Sequence, residues 1–192
     1  MLELNQNIFR FFSQFSDLAF IWLLADGPIF FIPLFLAWLW LYNTFVNSKN
    51  ERRNQLLHIF YACILWIIWS YIIKQFIDIE RPESYIEQTW NLIMSSIPEK
   101  SFPSDHATVS FAFTVSLFYA GFKKLWYIFL PCIICMNLAR IALWVHWPLD
   151  IIAGALLWLL CSVLFFTYMG QSKFVKNIDS FIIRVMKYIK LY

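Results

Sequence analysis

Long apolar runs dominate this chain and decide what it can fold into. Five of them have the length needed to cross a lipid bilayer: 29–46, 56–76, 106–122, 125–143 and 149–169. A transmembrane helix needs about 20 residues, because each residue adds about 1.5 Å toward a hydrocarbon core of about 30 Å. Only 14% of the residues are charged, against about 25% in an average soluble domain. We therefore expect an all-α integral membrane protein, with one membrane-embedded domain over residues 1–192.

A sixth apolar run is shorter and less regular than the other five. Residues 8–25 alternate Phe-rich stretches with polar side chains such as Arg10 and Asp17. This pattern fits either a first span or an amphipathic helix in the membrane interface, and we favour the span. Asp26 is followed by Gly27 and Pro28, which predict a turn that ends this helix. The expected fold is a bundle of about six transmembrane helices, the first uncertain.

Basic residues mark one side of the predicted bundle. They cluster in the connector 47–54, at Lys123 and Lys124, and in the tail after Gly170, and the net charge is only +3. These regions share one side if the spans alternate, and the positive-inside rule makes that side cytoplasmic. The tail has apolar side chains at helical spacing, which predicts an amphipathic helix on the anionic membrane lipids. Clusters of this kind do not indicate a nucleic-acid surface.

The opposite side of the membrane then receives the loop 77–104 and the turn at 145–148. We therefore expect the polar chemistry of a multi-pass plasma-membrane protein to face the periplasm or the outside.

The four cysteines lie in apolar runs. Cys132 and Cys135 have the C-x-x-C spacing of some redox and zinc sites. Their neighbours are Ile, Leu and Phe, so we favour buried hydrophobic side chains over a hydrated site.

Two cations lie where the second firm run meets the outer loop. Lys74 stands at the end of the run, and Arg81 follows seven residues later. A single lysine at a helix end is commonly an anchor that reaches toward the membrane surface. Its significance depends on the two clusters that follow it along the chain.

The second cluster, at 101–108, predicts an anion site. Pro103 precedes Ser104, which is a plausible N-cap for a helix that begins at Asp105 and carries His106 in its first turn. The free backbone N–H groups and the positive dipole end of such a helix bind phosphate. A simple helix cap would explain Ser104 and leave the histidine unexplained.

The third cluster contains Arg140, His146 and Asp150. Pro148 fits the first position of a helix, which would put His146 just before that helix and Asp150 in its first turn. An aspartate beside a histidine fixes the tautomer of the imidazole and leaves the other ring nitrogen free to attack or to move a proton. Next to Trp144 and Trp147, the histidine has an alternative role as an interfacial anchor.

The three clusters together predict a phosphoryl-transfer site. The loop charges place all of them on the outer side, although none of these residues entered that argument. Arginine binds phosphate oxygens with two parallel hydrogen bonds and lysine binds them as a point charge. A site with such cations to stabilise the phosphoryl oxygens, and with two histidines and an aspartate as nucleophile, acid and base, can catalyse phosphoryl transfer without a metal.

The spacing of these residues resembles the signature of the phosphatidic acid phosphatase type 2 superfamily. The segments are K-x6-R-P from Lys74, P-S-x-H from Pro103 and R-x5-H-x3-D from Arg140. Within that family, SFPSDH and VHWPLD look most like the undecaprenyl-diphosphatases of the bacitracin-resistance type. Two positions depart from the family pattern: Asp105 replaces the usual Gly, and Ala139 replaces a common Ser.

The resemblance implies a mechanism and a substrate. His146 would attack the terminal phosphorus to form a phosphohistidine, Asp150 would orient it, and His106 would protonate the leaving oxygen. No metal or cofactor is implied, and the partner is a polyprenyl diphosphate lipid that is recycled as a cell-wall carrier. The phosphoryl group would be held by Lys74, Arg81, Ser104, Arg140 and the N–H of Asp105.

Three alternatives stay open at this point. The substrate could be another lipid phosphate, such as phosphatidylglycerol phosphate, phosphatidic acid or lipid A. An outward cationic site would also suit a non-catalytic lipid-phosphate binder or transporter. A metal-dependent phosphatase is the third alternative. The acidic side chain of Asp105 fits a phosphate site if it turns away or pairs with a cation such as Lys100.

Overall fold

The computed structural model describes residues 3–16, 19–46, 50–82 and 100–188, and most of these residues are helical. Much of the predicted outer loop (83–99), part of the first basic connector (47–49) and the last four residues of the tail lie outside this description. The α-helices are α1 (Glu3–Ser13), α2 (Ala19–Phe45), α3 (Asn50–Phe76), α4 (Asp105–Tyr119), α5 (Lys123–Ala142), α6 (Pro148–Thr167) and α7 (Lys173–Tyr188). A short 3₁₀ turn (Met169–Gln171) joins α6 to α7.

The fold class predicted from the sequence is confirmed. Helices α2, α3, α5 and α6 are long and apolar enough to cross a membrane. The run 106–122, which we expected to be a fifth firm span, forms α4, which has only 15 residues and is not among these four helices. Helix α4 packs against α3, α5 and α6. Its Phe113 and Leu117 are fully buried in the main apolar cluster. The short helix is therefore the centre of the bundle, and its N-terminus carries the second predicted motif.

Close packing joins α4 to α6 beside that N-terminus. A Cβ atom built on Gly154 of α6 would lie 3.1 Å from the Cβ of Ala107 and 3.3 Å from the carbonyl oxygen of Ser104. Contacts this short are tighter than ordinary packing, so a side chain at this position would have to push the neighbouring atoms of α4 away. Glycine at this position lets the two helices approach each other, and so brings the second motif against the third.

The predicted first span and the turn after it are wrong. Helix α1 has 11 residues, or about 16 Å of length, which is too short to cross a bilayer. Helix α2 runs without a break through Gly27, Pro28 and Pro33. Proline removes one backbone hydrogen bond, but a helix packed in a membrane protein tolerates that loss.

Helix α1 lies against the start of α6 instead of spanning. The side chain of Asn5 is buried, and its Oδ1 accepts a hydrogen bond of 3.0 Å from the backbone N–H of Leu149. The ring of Phe9 packs on Trp144 and Trp147, with centroid distances of 5.4 and 4.9 Å. The two tryptophans beside His146 are thus packed by α1.

The predicted basic regions meet at one end of the bundle. The guanidinium of Arg52 lies 4.8 Å from the ring centroid of Phe122. In α7, the amphipathic helix predicted for the tail, the carboxylate of Asp179 lies 3.0 Å from His58 Nε2. The start of α3, the turn between α4 and α5, and the tail helix therefore share the end opposite the three motifs.

The cysteine prediction is only partly right. Cys63 is buried, as expected, whereas Cys132 and Cys135 are exposed on the apolar surface of α5. The outward face of a membrane helix is itself apolar, so an apolar run does not distinguish buried from lipid-facing positions.

We predict that Gly154→Ala lowers the thermal stability of the detergent-solubilised protein. Alanine in a helix interior gains up to about 1 kcal/mol over glycine, but overpacking at this contact costs about 1–3 kcal/mol. Gly27→Ala is the matched control, because the nearest atom to its added Cβ is a flexible leucine side chain at 3.6 Å. The unfolding midpoint should fall for Gly154→Ala and stay or rise for Gly27→Ala. Equal midpoints would contradict the packing argument.

Candidate active site

His146 lies in the tight turn between α5 and α6. Trp144 has a φ of 64°, in the left-handed region that non-glycine residues rarely adopt, so this turn carries backbone strain. Pro148 begins α6, as predicted. His146 is 1% exposed. The turn therefore holds the imidazole in the interior, where its orientation is set by neighbouring polar groups.

Asp150 occupies the first turn of α6 and faces His146. Its Oδ2 accepts a 2.9 Å hydrogen bond from the backbone N–H of Trp147 and lies 3.5 Å from His146 Nδ1. The hydroxyl of Ser101 donates to the same Oδ2, and its oxygen lies 3.4 Å from His146 Nδ1. Ser101 thus links the imidazole to the carboxylate.

Arg81 approaches the other ring nitrogen of His146. Its Nη1 donates a 2.8 Å hydrogen bond to the carbonyl oxygen of Val145 and lies 3.5 Å from His146 Nε2. A guanidinium only donates, whereas the hydroxyl and carboxylate around Nδ1 can accept. These surroundings favour the tautomer with the proton on Nδ1 and the lone pair on Nε2, facing Arg81.

The protonation of His146 follows from the same surroundings. Burial, followed by the charges of Arg140 and Arg81, holds the pKa of His146 well below its usual value. The ring is therefore neutral at pH 7, and its lone pair is available without a base to remove a proton.

Ser104 caps α4 as the sequence predicted. Its hydroxyl oxygen accepts a 3.4 Å hydrogen bond from the N–H of Ala107, and its own N–H donates to the carbonyl oxygen of Asp150 at 3.4 Å. The second and third motifs therefore touch through their backbones. The helix end presents the backbone donors that bind anions at such positions.

Lys74 and Asp105 form an ion pair. The ammonium group of Lys74, 3% exposed, contacts Asp105 Oδ2, and the Ser70 hydroxyl donates to Asp105 Oδ1. The expectation that Asp105 pairs with a cation is met, but the suggested partner Lys100 is wrong. Lys100 lies 3.8 Å from Asp78 instead. Lys74 is the nearer cation because it enters from α3, which packs directly on α4.

Arg140 and His106 share a partner that the sequence did not indicate. Asp26 Oδ1 accepts from Arg140 Nη1 and lies 3.2 Å from His106 Nε2. The guanidinium is almost completely buried, whereas the carboxylate and the imidazole are about one-third and one-quarter exposed. Asp26 Oδ1 thus links three helices: α2, which carries Asp26, α4, which carries His106, and α5, which carries Arg140.

The structure brings the sequence-predicted residues into one electrostatically connected site. The charges of Lys74, Arg81, Arg140 and His106 all act on His146. Three further residues contribute contacts that the sequence analysis missed: Ser70, Ser101 and Asp26. Ser101 stands within the second cluster, so its position was a usable signal. No motif in the sequence pointed to Asp26, because we expected it to lie in a turn with Gly27 and Pro28 and not in a helix that packs on the site.

Comparisons with known proteins agree with this geometry. The model of the PAP2 superfamily matches residues 55–174, which is more than half of the chain. The chain belongs to the PAP2 superfamily. The chain is 30% identical to the bacitracin transport permease protein BcrC of Bacillus licheniformis over 188 residues, covering 93% of this chain and 87% of that relative.

Two further relatives carry phosphatase names. The chain is 28% identical to the putative undecaprenyl-diphosphatase YbjG of Escherichia coli over 165 residues, covering 81% of this chain and 78% of the relative. It is 31% identical to an undecaprenyl-diphosphatase of Sulfolobus acidocaldarius over 101 residues, covering 53% of this chain and 45% of the relative. No solved structure matches the chain.

The PAP2 match contains every site residue predicted from the sequence and excludes Asp26. Ala139, the departure from the family pattern, is buried in a small cluster with Ile21 and Ala25 of α2. A small side chain at this position lets α2 approach α5 next to Arg140. The contact between α2 and α5 at Ala139 also places Asp26 beside His106 and Arg140.

We predict that, as the pH is lowered, the His146 ring of the ligand-free protein takes up its second proton only below pH 6.5, because burial depresses its pKa in the folded state. The measurement is an NMR titration of the protein labelled at its histidine rings, in detergent. The chain has three histidines, so His58→Gln and His106→Gln assign the signals. A titration midpoint of His146 at or above 6.5 would contradict the burial argument.

Proposed function

We propose that the protein is a membrane lipid phosphatase that hydrolyses undecaprenyl diphosphate to undecaprenyl phosphate and inorganic phosphate. The observation that carries this proposal is the placement of His146. Its Nε2 faces Arg81, and its Nδ1 faces Ser101 and Asp150. A nucleophile held in this way, within a PAP2 domain, supports attack on a phosphoryl group.

The proposed reaction has two steps. Nε2 of His146 attacks the terminal phosphorus, the bond from phosphorus to the bridging oxygen breaks, and His106 gives a proton to that oxygen. Water then attacks the phosphorus, the bond from phosphorus to Nε2 breaks, His106 takes the proton of the water, and inorganic phosphate leaves. Asp150 compensates the positive charge that develops on the His146 ring, through Ser101 and across 3.5 Å.

The cations would hold the transferred phosphoryl group. Arg81, Arg140 and Lys74 are each less than one-tenth exposed, and their charges reach His146. In a buried site, fixed cations stabilise the charge on the equatorial oxygens without reorganisation of solvent. The N–H groups at the start of α4, beginning with that of Asp105, add neutral donors.

A lipid substrate is supported by the apolar surroundings of the site. A cavity of about 780 Å³ lies between α2 and α3 and reaches α7. Ile29, which is three residues after Asp26, and Val109, which is three residues after His106, line it near the site. A prenyl chain in this cavity would leave its diphosphate among the cations. The names of two relatives favour a polyprenyl diphosphate over other lipid phosphates.

We also propose that the site faces the outside of the plasma membrane. Arg52, Lys123 and α7 lie at the end of the bundle opposite the site, and basic residues favour the cytoplasmic side. An outward site fits the recycling of a carrier lipid that delivers cell-wall precursors across the membrane.

The direct test is phosphate release from undecaprenyl diphosphate by the detergent-solubilised protein. We expect His146→Ala to abolish turnover, because it removes the nucleophile, and His106→Ala to slow it by about 10²–10⁴-fold, the usual contribution of a general acid. His58→Ala is the matched control, because His58 pairs with Asp179 at the other end of the bundle. Its turnover should equal that of the wild type. Excess chelator should leave the wild-type rate unchanged.

The name of the BcrC relative supports one alternative, a transporter or binder of lipid phosphates. Such a protein would bind the diphosphate without releasing phosphate in any of the variants. Unchanged turnover in His146→Ala would equally refute the proposed mechanism. Faster turnover of phosphatidic acid or phosphatidylglycerol phosphate would refute the proposed substrate while leaving the mechanism in place.

We predict that Ala37→Trp, which fills the cavity, discriminates between long and short chains. Each buried methylene contributes about 0.8 kcal/mol to binding, so kcat/KM for a full-length prenyl diphosphate should fall by about tenfold or more. A three-isoprene diphosphate should be much less affected. Leu160→Trp, at an exposed position on α6, is the control and should change neither value. Equal losses for both chain lengths would exclude the cavity as the chain site.

A further inference from the structure

We propose that Asp26 is the positioning residue for the acid step, holding His106 and Arg140 in their working arrangement. This inference rests on the proposed phosphatase function. Asp26 lies in α2, outside residues 55–174 that match the family, so the family match assigns it no role.

The contacts resemble those of the other histidine of the site. Asp150 faces Nδ1 of His146, on the side away from Nε2, whereas Asp26 lies 3.2 Å from Nε2 of His106, on the side away from Nδ1. A carboxylate against one ring nitrogen fixes the plane of the imidazole and favours its protonated form. Each histidine thus has its own aspartate, and the two pairs use opposite ring nitrogens.

The negative charge of Asp26 also reduces the repulsion between His106 and Arg140. In the part of the chain that the structure describes, the charged and titratable groups that act on His106 are Asp26 from α2, Arg140 from α5, its own neighbour Asp105, and His146 from the turn before α6. A protonated His106 beside the buried guanidinium of Arg140 would be repelled by it. Oδ1 of Asp26 contacts both groups, so it supplies the negative charge that lets the two cations stand together.

The packing of α2 keeps Asp26 in place. Ile21 and Ala25, on the turn before it, are buried against Ala139 and Ala142 of α5. The alanine side chains allow a close approach of α2 and α5. Helix α2 continues without a break through Gly27 and Pro28, so the backbone around Asp26 is helical and fixes the direction of the Asp26 side chain. Asp26 is therefore carried on a rigid element.

The proton balance of the step follows from this arrangement. His106 begins protonated, with one N–H toward Asp26 and the Nδ1–H toward the substrate. The Nδ1 proton moves to the bridging oxygen as the bond from that oxygen to phosphorus breaks. His106 ends neutral, with its Nε2–H still donated to Asp26, and the water that hydrolyses the phosphohistidine restores the proton.

The test is the pH dependence of kcat for undecaprenyl diphosphate in Asp26→Asn and Asp26→Glu. Loss of the carboxylate destabilises protonated His106, so the alkaline limb of the profile should move to lower pH by about one unit or more in Asp26→Asn. The rate should fall by about tenfold or more at alkaline pH and much less at acid pH. Asp26→Glu keeps the charge and should keep the position of the limb. In NMR, the His106 ring of Asp26→Asn should take up its proton at a correspondingly lower pH.

Asp179→Asn is the matched control, because it breaks a His–Asp pair of the same kind at the opposite end of the bundle. Its alkaline limb should coincide with that of the wild type. The inference is overturned if the limb of Asp26→Asn does not move, or if its rate falls equally at every pH, as a purely structural defect would cause. A rate that rises at every pH would also overturn it, since Asp26 would then only obstruct the site. Failure of the wild type to release phosphate would instead refute the proposed function.

Discussion

The site depends on the neutralisation of charge inside an apolar bundle. Lys74, Arg81 and Arg140 are each less than one-tenth exposed, and an unpaired ion at such a position costs several kcal/mol. Asp105 contacts Lys74, Asp26 contacts Arg140, and Asp150 lies within electrostatic reach of Arg81. Without these carboxylates, the cations that a phosphate needs would not remain buried in the empty protein.

This constraint explains why the site draws on so many elements. A single membrane helix carries few charged residues, because each one is costly in hydrocarbon. The carboxylates therefore come from α2, α4 and α6, and the cations come from α3, its following loop and α5. Close contacts such as that at Gly154 bring these helices together. The geometry of the site therefore depends directly on the packing of the bundle.

Local patterns in the sequence predicted the parts of the site that depend on local geometry. Ser104 and Pro148 begin their helices as expected, because caps and N-terminal prolines act within one turn of the chain. The course of α2 was predicted wrongly, because Gly27 and Pro28 end helices in water but not inside a packed bundle. Asp26 was missed for that reason. The partner of Asp105 depends on the packing of α3 on α4, which no local pattern encodes.

The paired carboxylates also bear on turnover in the proposed reaction. A site with three unopposed buried cations would bind inorganic phosphate as firmly as the substrate, and such uniform binding does not raise kcat. With Asp105 on Lys74 and Asp26 on Arg140, a departing phosphate leaves cations that already have anionic partners in the empty site. In the proposed reaction, affinity for the substrate would then come largely from its apolar chain, which the product phosphate lacks. A near-neutral polar site beside an apolar cavity would therefore favour binding of the lipid and release of the phosphate.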